Sequence, residues 1–225
     1  LIFADRLRIK DMRRSGWILV LLAAVLFFTT ADVLATGTVT RWERHLMLTG
    51  GGIKATGPEF WFWRTVVWGG QWWLIGSLTG LLALWAGRRG RRWWPVLVTG
   101  LWVVAVNVPM YLIKQWTGRP APSAGYDALY VVGKVSYPSG HTALAAGCWI
   151  MMATLLTLDR DARTQRKALV PAFAIMILVG VANIRLNYHW PTDVLAGLAY
   201  GVFFGLLGRW TLQRKEARLP VRLLS

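Results

Sequence analysis

The chain has 225 residues, of which 55% are hydrophobic and only 16% charged, with 15 Trp and a formal net charge of +16. A soluble domain usually carries about a quarter charged residues, so this balance excludes an ordinary soluble globule. The positive charge raises nucleic-acid binding as an alternative, but the basic residues flank apolar runs, which points to a membrane protein and away from nucleic acid.

A bilayer core needs roughly 20 apolar residues per helix. Six runs qualify: Trp17–Ala35, Thr65–Ala86, Trp93–Ile113, Thr142–Leu158, Ala168–Leu186 and Thr192–Trp210, the fourth being the shortest. The expectation is an all-α, integral membrane six-helix bundle forming one domain over residues 1–225. Eighteen of the 26 basic residues fall in four segments: Arg6 to Arg14, Arg88 to Arg92, Arg160 to Lys167, and Arg209 to Arg222. A six-span path puts all four on one side, and the positive-inside rule makes that side cytoplasmic. Both N- and C-termini are then cytoplasmic.

Leu1 to Arg14 mixes apolar and basic residues, as an interfacial segment or a frayed basic arm would. The first apolar run is long for a signal-peptide core and no clear cleavage site follows it, so it reads as a span. It ends near Asp32, where an interfacial or capping role is cheap. The connection Thr36 to Arg64 contains Gly50-Gly51-Gly52, a flexible turn without the ending of a phosphate loop. Its Phe60-Trp61-Phe62-Trp63 cluster fits a membrane-interface belt or the wall of a lateral path for a lipid tail. Trp72, Trp73, Trp93 and Trp94 read as further anchors. Cys148 is the only cysteine, which excludes an intrachain disulfide and leaves a small buried apolar residue.

The third run ends at Lys114, and Gly118, Pro120 and Pro122 then stop the helix. Arg119 lies in this stretch. The loop that follows, with Asp127 and Lys134, reads as a connector. The fourth run opens with Tyr137-Pro138-Ser139-Gly140-His141-Thr142. Ser139 is a good N-cap, Gly140 lets a ligand approach the backbone, and free amides and the helix dipole converge there on an anion. Asp159 to Arg163 is a solvated charged loop. The fifth run returns to Asn183, Arg185, Asn187 and His189; Pro191 suits the first turn of the sixth, and Asp193 follows.

These polar patches fall on one membrane face, opposite the basic segments. His189 and Asp193 are four apart and share a face if Tyr188 to Val194 is nearly helical. The carboxylate can then hold one ring nitrogen and leave the other nucleophilic. His141, from another span, can donate a proton to a leaving oxygen. Lys114, Arg119 and Arg185 can neutralise a phosphoryl group, aided by the amides near Ser139 and Gly140. Ser139 could also serve as a nucleophile, although capping and phosphate donation suit it better. Neither a carboxylate cluster suited to magnesium nor a zinc set is apparent, so phosphoryl transfer without metal or other cofactor is expected.

The Pro138-Ser139-Gly140-His141 and His189-Trp190-Pro191-Thr192-Asp193-Val194-Leu195-Ala196-Gly197 motifs resemble those of the type 2 phosphatidic acid phosphatase (PAP2) superfamily of membrane lipid phosphatases. The resemblance covers residues 114–197 by motif and the whole chain by its six-span layout. It implies that His189 is the nucleophile, Asp193 its orienting partner and His141 the acid, with Lys114, Ser139 and Gly140 on the phosphate. It implies lipid phosphate or diphosphate substrates such as polyprenyl diphosphate, phosphatidylglycerol phosphate or phosphatidic acid, handled at the outer face of a cytoplasmic membrane. A lipid phosphotransferase and a non-catalytic lipid-phosphate binder are the alternatives. Two arginines depart from the family pattern. Ala121 stands seven residues after Lys114, with Arg119 two earlier; Asn183 stands six before His189, with Arg185 two later. Either Arg119 and Arg185 reach the same phosphate by altered routes, or phosphate binding is weakened.

Overall fold

The computed structural model describes residues 2–49, 54–124 and 135–217, with side chains from residue 16 onward. Gly50 to Gly52, Asp127, Lys134, Arg218, Arg222 and the side chains of the basic N-terminal segment therefore lie outside the described residues. The described chain is all helical: α1 (Ile2–Leu34), α2 (Thr38–Thr49), α3 (Gly57–Val67), α4 (Trp72–Arg89), α5 (Trp94–Thr117), α6 (Gly140–Leu156), α7 (Ala162–Lys167), α8 (Leu169–Arg185) and α9 (Pro191–Ala217).

Among the described residues, four helical segments are long and apolar enough to cross a membrane: Gly16–Leu34, Trp94–Thr117, Ala162–Arg185 and Pro191–Ala217. The other two expected spans correspond to α4 and to α6, a shorter apolar helix of 17 residues. The expected second span starts too early. Thr65 to Val67 close α3, a 3-10 turn follows at Trp68–Gly70, and α4 begins only at Trp72. The break has a local cause. Gly69 offers its carbonyl to Trp149 Nε1 (3.0 Å), and Gly70 packs directly against the carbonyl of His141, where no side chain fits.

Burial ranks the helices. α6 is almost wholly enclosed, α9 is mostly buried, and α1, α5 and α8 turn apolar side chains outward. Without a hydrophobic force between helices in lipid, small residues let backbones approach. Gly197, Gly201 and Gly205 of α9 recur every four residues and face α6. A Cβ on Gly197 would stand 2.6 Å from Ser139 O, and one on Gly201 would strike Ala143 O. Two buried donors tie α5 to α9: Tyr200 OH to Val106 O (2.6 Å) and Trp102 Nε1 to Phe204 O (2.7 Å).

The ends of this bundle differ. The site end carries the termini of α5, α6, α8 and α9 that bear the motifs, together with α2 and α3. Exposed Trp42, Trp61, Phe62, Trp68, Trp72, Trp73 and Trp116 ring it, while Trp17, Trp85, Trp93 and Trp210 ring the far end. Two aromatic girdles of this kind suit two membrane–water interfaces. Helix α2 is amphipathic in a particular way. Val39, Trp42 and Leu46 are exposed, while Thr40 and Glu43, on the adjoining strip of the helix, are buried. Asp32 fixes its start, accepting from Thr40 N (2.8 Å), Thr40 Oγ1 (2.8 Å) and Val39 N (3.3 Å), which is the expected capping role.

Candidate active site

Ser139 caps α6. Its backbone is extended, and its Oγ accepts from Thr142 N at 3.4 Å and lies 2.9 Å from Thr142 Oγ1. Ser139 N donates to Asp193 O (2.9 Å), which locks the start of α6 to the start of α9. Gly140 then opens the first turn, and a Cβ there would meet only Lys114 Cε, 3.7 Å away. Lys114, from the last turn of α5, thus lies across the amino end of α6. Its Nζ donates to the carbonyls of Val135 (3.2 Å) and Ser136 (3.3 Å). An ammonium has three donors, so these two bonds place the charge beside Gly140 with capacity for an anion.

His189 sits in the turn between α8 and α9. The segment from Tyr188 is not helical, contrary to the condition set on the His189–Asp193 spacing: α9 starts at Pro191, and Asn187 takes a left-handed backbone (φ 58°) to make the turn. The two side chains meet nonetheless. His189 Nδ1 donates to Asp193 Oδ2 at 3.4 Å, and the same oxygen accepts Trp190 N at 3.2 Å. Asp193 therefore caps its own helix while holding the ring. With Nδ1 engaged, Nε2 carries the lone pair. The His141 ring lies opposite, 6.4 Å from that of His189 between centroids, so both can touch one phosphoryl group. His141 Nε2 in turn donates to Gln71 Oε1 at 3.2 Å.

The two arginines go elsewhere than the His189 ring. Arg119 is buried behind Asp193. Its Nη1 donates to Asp193 Oδ1 (2.6 Å) and Thr192 Oγ1 (2.6 Å), its Nη2 pairs with Glu43, and its guanidinium stacks on the Trp190 ring at 5.2 Å. Arg185 is half-buried and donates through Nε to Glu59 Oε1 at 3.0 Å. Trp63 Nε1 donates to the same oxygen (2.9 Å). These two bonds, Trp63 first, hold the Glu59 carboxyl below its usual range. Because Leu186 to Trp190 form a turn, Arg185 is not carried onto the His189 face by a continuous helix. Asn183, at the other departure, is fully buried, donating to Val179 O (2.8 Å) and Thr142 Oγ1 (3.5 Å).

Four participants have roles the motifs do not assign, and three of them lie outside the motifs, Thr192 being the exception. Glu43 comes from α2 inside the long connection, Gln71 caps α4 and holds His141, Thr192 links Glu43 to Arg119, and Arg64 of α3 bonds the Tyr188 hydroxyl one residue before His189. A trace of the first existed in the sequence. Asp and Glu number only 10 in the chain, so a carboxylate on a short amphipathic helix stands out.

The chain is similar to known proteins over the half that carries these residues. The PAP2 superfamily model covers residues 92–217, more than half of the chain. A lipid A 1-phosphatase of Porphyromonas gingivalis is 41% identical over 75 residues, covering 33% of this chain and 16% of that protein. Phosphatidylglycerophosphatase B of Bacillus subtilis is 31% identical over 98 residues, covering 43% and 47%. A decaprenylphosphoryl-5-phosphoribose phosphatase of Mycobacterium tuberculosis is 30% identical over 137 residues, covering 60% and 68%. The matched stretch thus spans less than half of the first two relatives. The crystal structure of a transmembrane PAP2 type phosphatidylglycerolphosphate phosphatase from Bacillus subtilis superposes with a TM-score of 0.76 at 19% identity, covering 92% of this chain and all of that one. That likeness in fold, with the apolar helices above, describes a multi-pass membrane protein. By its motif-bearing half, the chain belongs to the PAP2 superfamily.

Proposed function

We propose that this protein hydrolyses lipid phosphates or diphosphates through a phosphohistidine, without a metal. The observation that carries the reading is the pairing of His189 with buried Asp193, 6.4 Å from the His141 ring and beside the capped start of α6 and Lys114. His189 Nε2 attacks the terminal phosphorus, and its bond to the leaving oxygen breaks: the lipid alcohol's oxygen in a monophosphate, the bridging oxygen of the departing lipid phosphate in a diphosphate. His141 gives that oxygen its proton. Water then attacks the phosphohistidine, His141 takes the proton back from it, and phosphate leaves. Lys114 and the amide of Gly140 hold the equatorial oxygens, on which charge spreads in the transition state.

Arg119 and Arg185 belong to this proposal in different ways. Arg119 acts from behind Asp193, holding Oδ1 of the carboxylate that orients His189. Arg185 stands at the rim, where a larger headgroup or a second phosphate can exchange with Glu59 for its guanidinium. The fold is read as six spans with α4 and α6 completing the four longer ones, both termini cytoplasmic, and the site facing outward from the cytoplasmic membrane. The asymmetry of Lys and Arg supports that orientation. The substrates named for the relatives differ in headgroup but share a phosphate on a membrane lipid. Polyprenyl diphosphate, phosphatidylglycerol phosphate and phosphatidic acid are the candidates.

The test is phosphate release by purified protein over these three lipids with a chelator present. Release from at least one, unaffected by chelator, is expected. Binding without turnover would favour the non-catalytic alternative. Phosphate appearing on an added alcohol instead of in solution would favour the phosphotransferase.

A further inference from the structure

We infer that Glu43, on the interfacial helix α2, is a positioning residue for the nucleophile, acting through Arg119 and Thr192 on Asp193. The inference rests on the phosphohistidine reading above. Four polar side chains are packed where water does not reach: Glu43 and Asp193 are fully buried, Thr192 is 4% exposed and Arg119 is 7% exposed. A buried charge is costly unless paired and hydrogen-bonded, so the way these groups satisfy one another is informative. Glu43 accepts at both oxygens. Oε2 takes Thr192 N (2.8 Å), while Oε1 takes Thr192 Oγ1 (2.6 Å) and Arg119 Nη2. Arg119 Nη1 reaches past to Asp193 Oδ1 at 2.6 Å. The other oxygen of Asp193 faces His189.

The charge balance explains why a second carboxylate is present. Arg119 alone would neutralise Asp193 and weaken its hold on an imidazole that becomes cationic when phosphorylated. With Glu43 opposite, the guanidinium is shared, and the buried Glu43–Arg119–Asp193 set keeps one net negative charge facing His189. The geometry adds a second function. Thr192 is the second residue of α9, so Glu43 also fixes the backbone from which Asp193 projects. Helix α2 lies outside the family-matched stretch 92–217, and beside Glu43 it exposes Val39, Trp42 and Leu46. The residue therefore joins the membrane-surface helix to the catalytic pair.

The experiment is a double-mutant cycle on the full chain with Glu43→Gln and Asp193→Asn, reading kcat and KM for lipid-phosphate hydrolysis alongside thermal unfolding. Glu43→Gln should lower kcat by about 10- to 100-fold, the size of loss seen when the hydrogen-bond partner behind a metal-ligating residue is removed, with KM within about threefold. In the Asp193→Asn background it should have almost no further effect, since residues acting as one unit are not additive. Glu43→Asp, which keeps the charge, should recover part of the rate. Unchanged kcat in Glu43→Gln, or losses that multiply in the double variant, would overturn the inference. If Glu43→Gln does not fold, Thr192→Val replaces it in the same cycle: a drop in kcat absent from the Asp193→Asn background supports the role, and full activity overturns it. Full activity of His189→Asn would sink the underlying phosphohistidine reading instead, a result the cycle cannot mimic.

Discussion

The two ends of the bundle are both rich in arginine and use it differently. At the far end, Arg89 pairs with Asp159 at 2.9 Å with both side chains about half exposed, and Arg214 lies over the Trp210 ring at 3.7 Å. These are wet contacts of the kind that contribute little to stability. At the site end, Arg119 is enclosed and divided between Glu43 and Asp193. The same residue type serves to mark a membrane side at one end and to organise a reaction centre at the other. Burial and partners, not composition, decide which.

That contrast can be broken by substitution, and the largest effect should come from the site itself. His189→Ala should remove phosphate release while leaving a folded, lipid-binding protein, which purification and a release assay can establish. Asp193→Asn should cost up to about ten-thousandfold in kcat, the loss known when the orienting carboxylate of a catalytic His is made neutral. Next come the arginines. Arg119→Ala strands two buried carboxylates and should destabilise the fold by about 3–5 kcal/mol besides lowering the rate. Arg185→Ala removes a partly exposed pair and should cost less than about 1 kcal/mol in stability, with its effect confined to turnover. If neither variant loses phosphate release, the idea that these two displaced arginines serve the site is wrong.

A packing change separates the site from its scaffold. Gly201→Val drives a side chain into the Ala143 carbonyl at the α6–α9 seam. It should lower thermal stability by at least about 1–3 kcal/mol, as overpacking does, without a specific effect on KM. Smallest of all, Arg89→Ala at the far end should change stability by less than about 1 kcal/mol and leave kcat as it was. A large loss of activity there would erase the distinction between the ends.

Much of this was legible in the chain, and the reasons are physical. Helix N-caps are local, so Ser139 at the start of α6 and Pro191 at the start of α9 could be read from single residues. The meeting of His141 with His189 could be reached because hydropathy sets which span ends share a face. The four-residue spacing of Gly197, Gly201 and Gly205 was also present as a packing signal, although only the structure gives it its partner helix. What could not be read were contacts across long separations. The Glu43–Thr192 bond joins residues 149 apart in sequence, and no periodicity encodes it. The fate of Arg119 illustrates the same limit. A cation near a phosphate motif reads as a phosphate ligand, whereas its described bonds run to carboxylates and a hydroxyl behind the site.

The central claim is that His189 carries the phosphoryl group. Rapid quenching of the purified protein with a lipid labelled in its phosphate, under alkaline conditions that preserve phosphohistidine, followed by peptide mapping, tests it directly. The label should appear during turnover on the peptide containing His189, vanish on acid treatment, and be absent from His189→Ala. Turnover with no labelled peptide, or with the label on the peptide bearing Ser139, would contradict it.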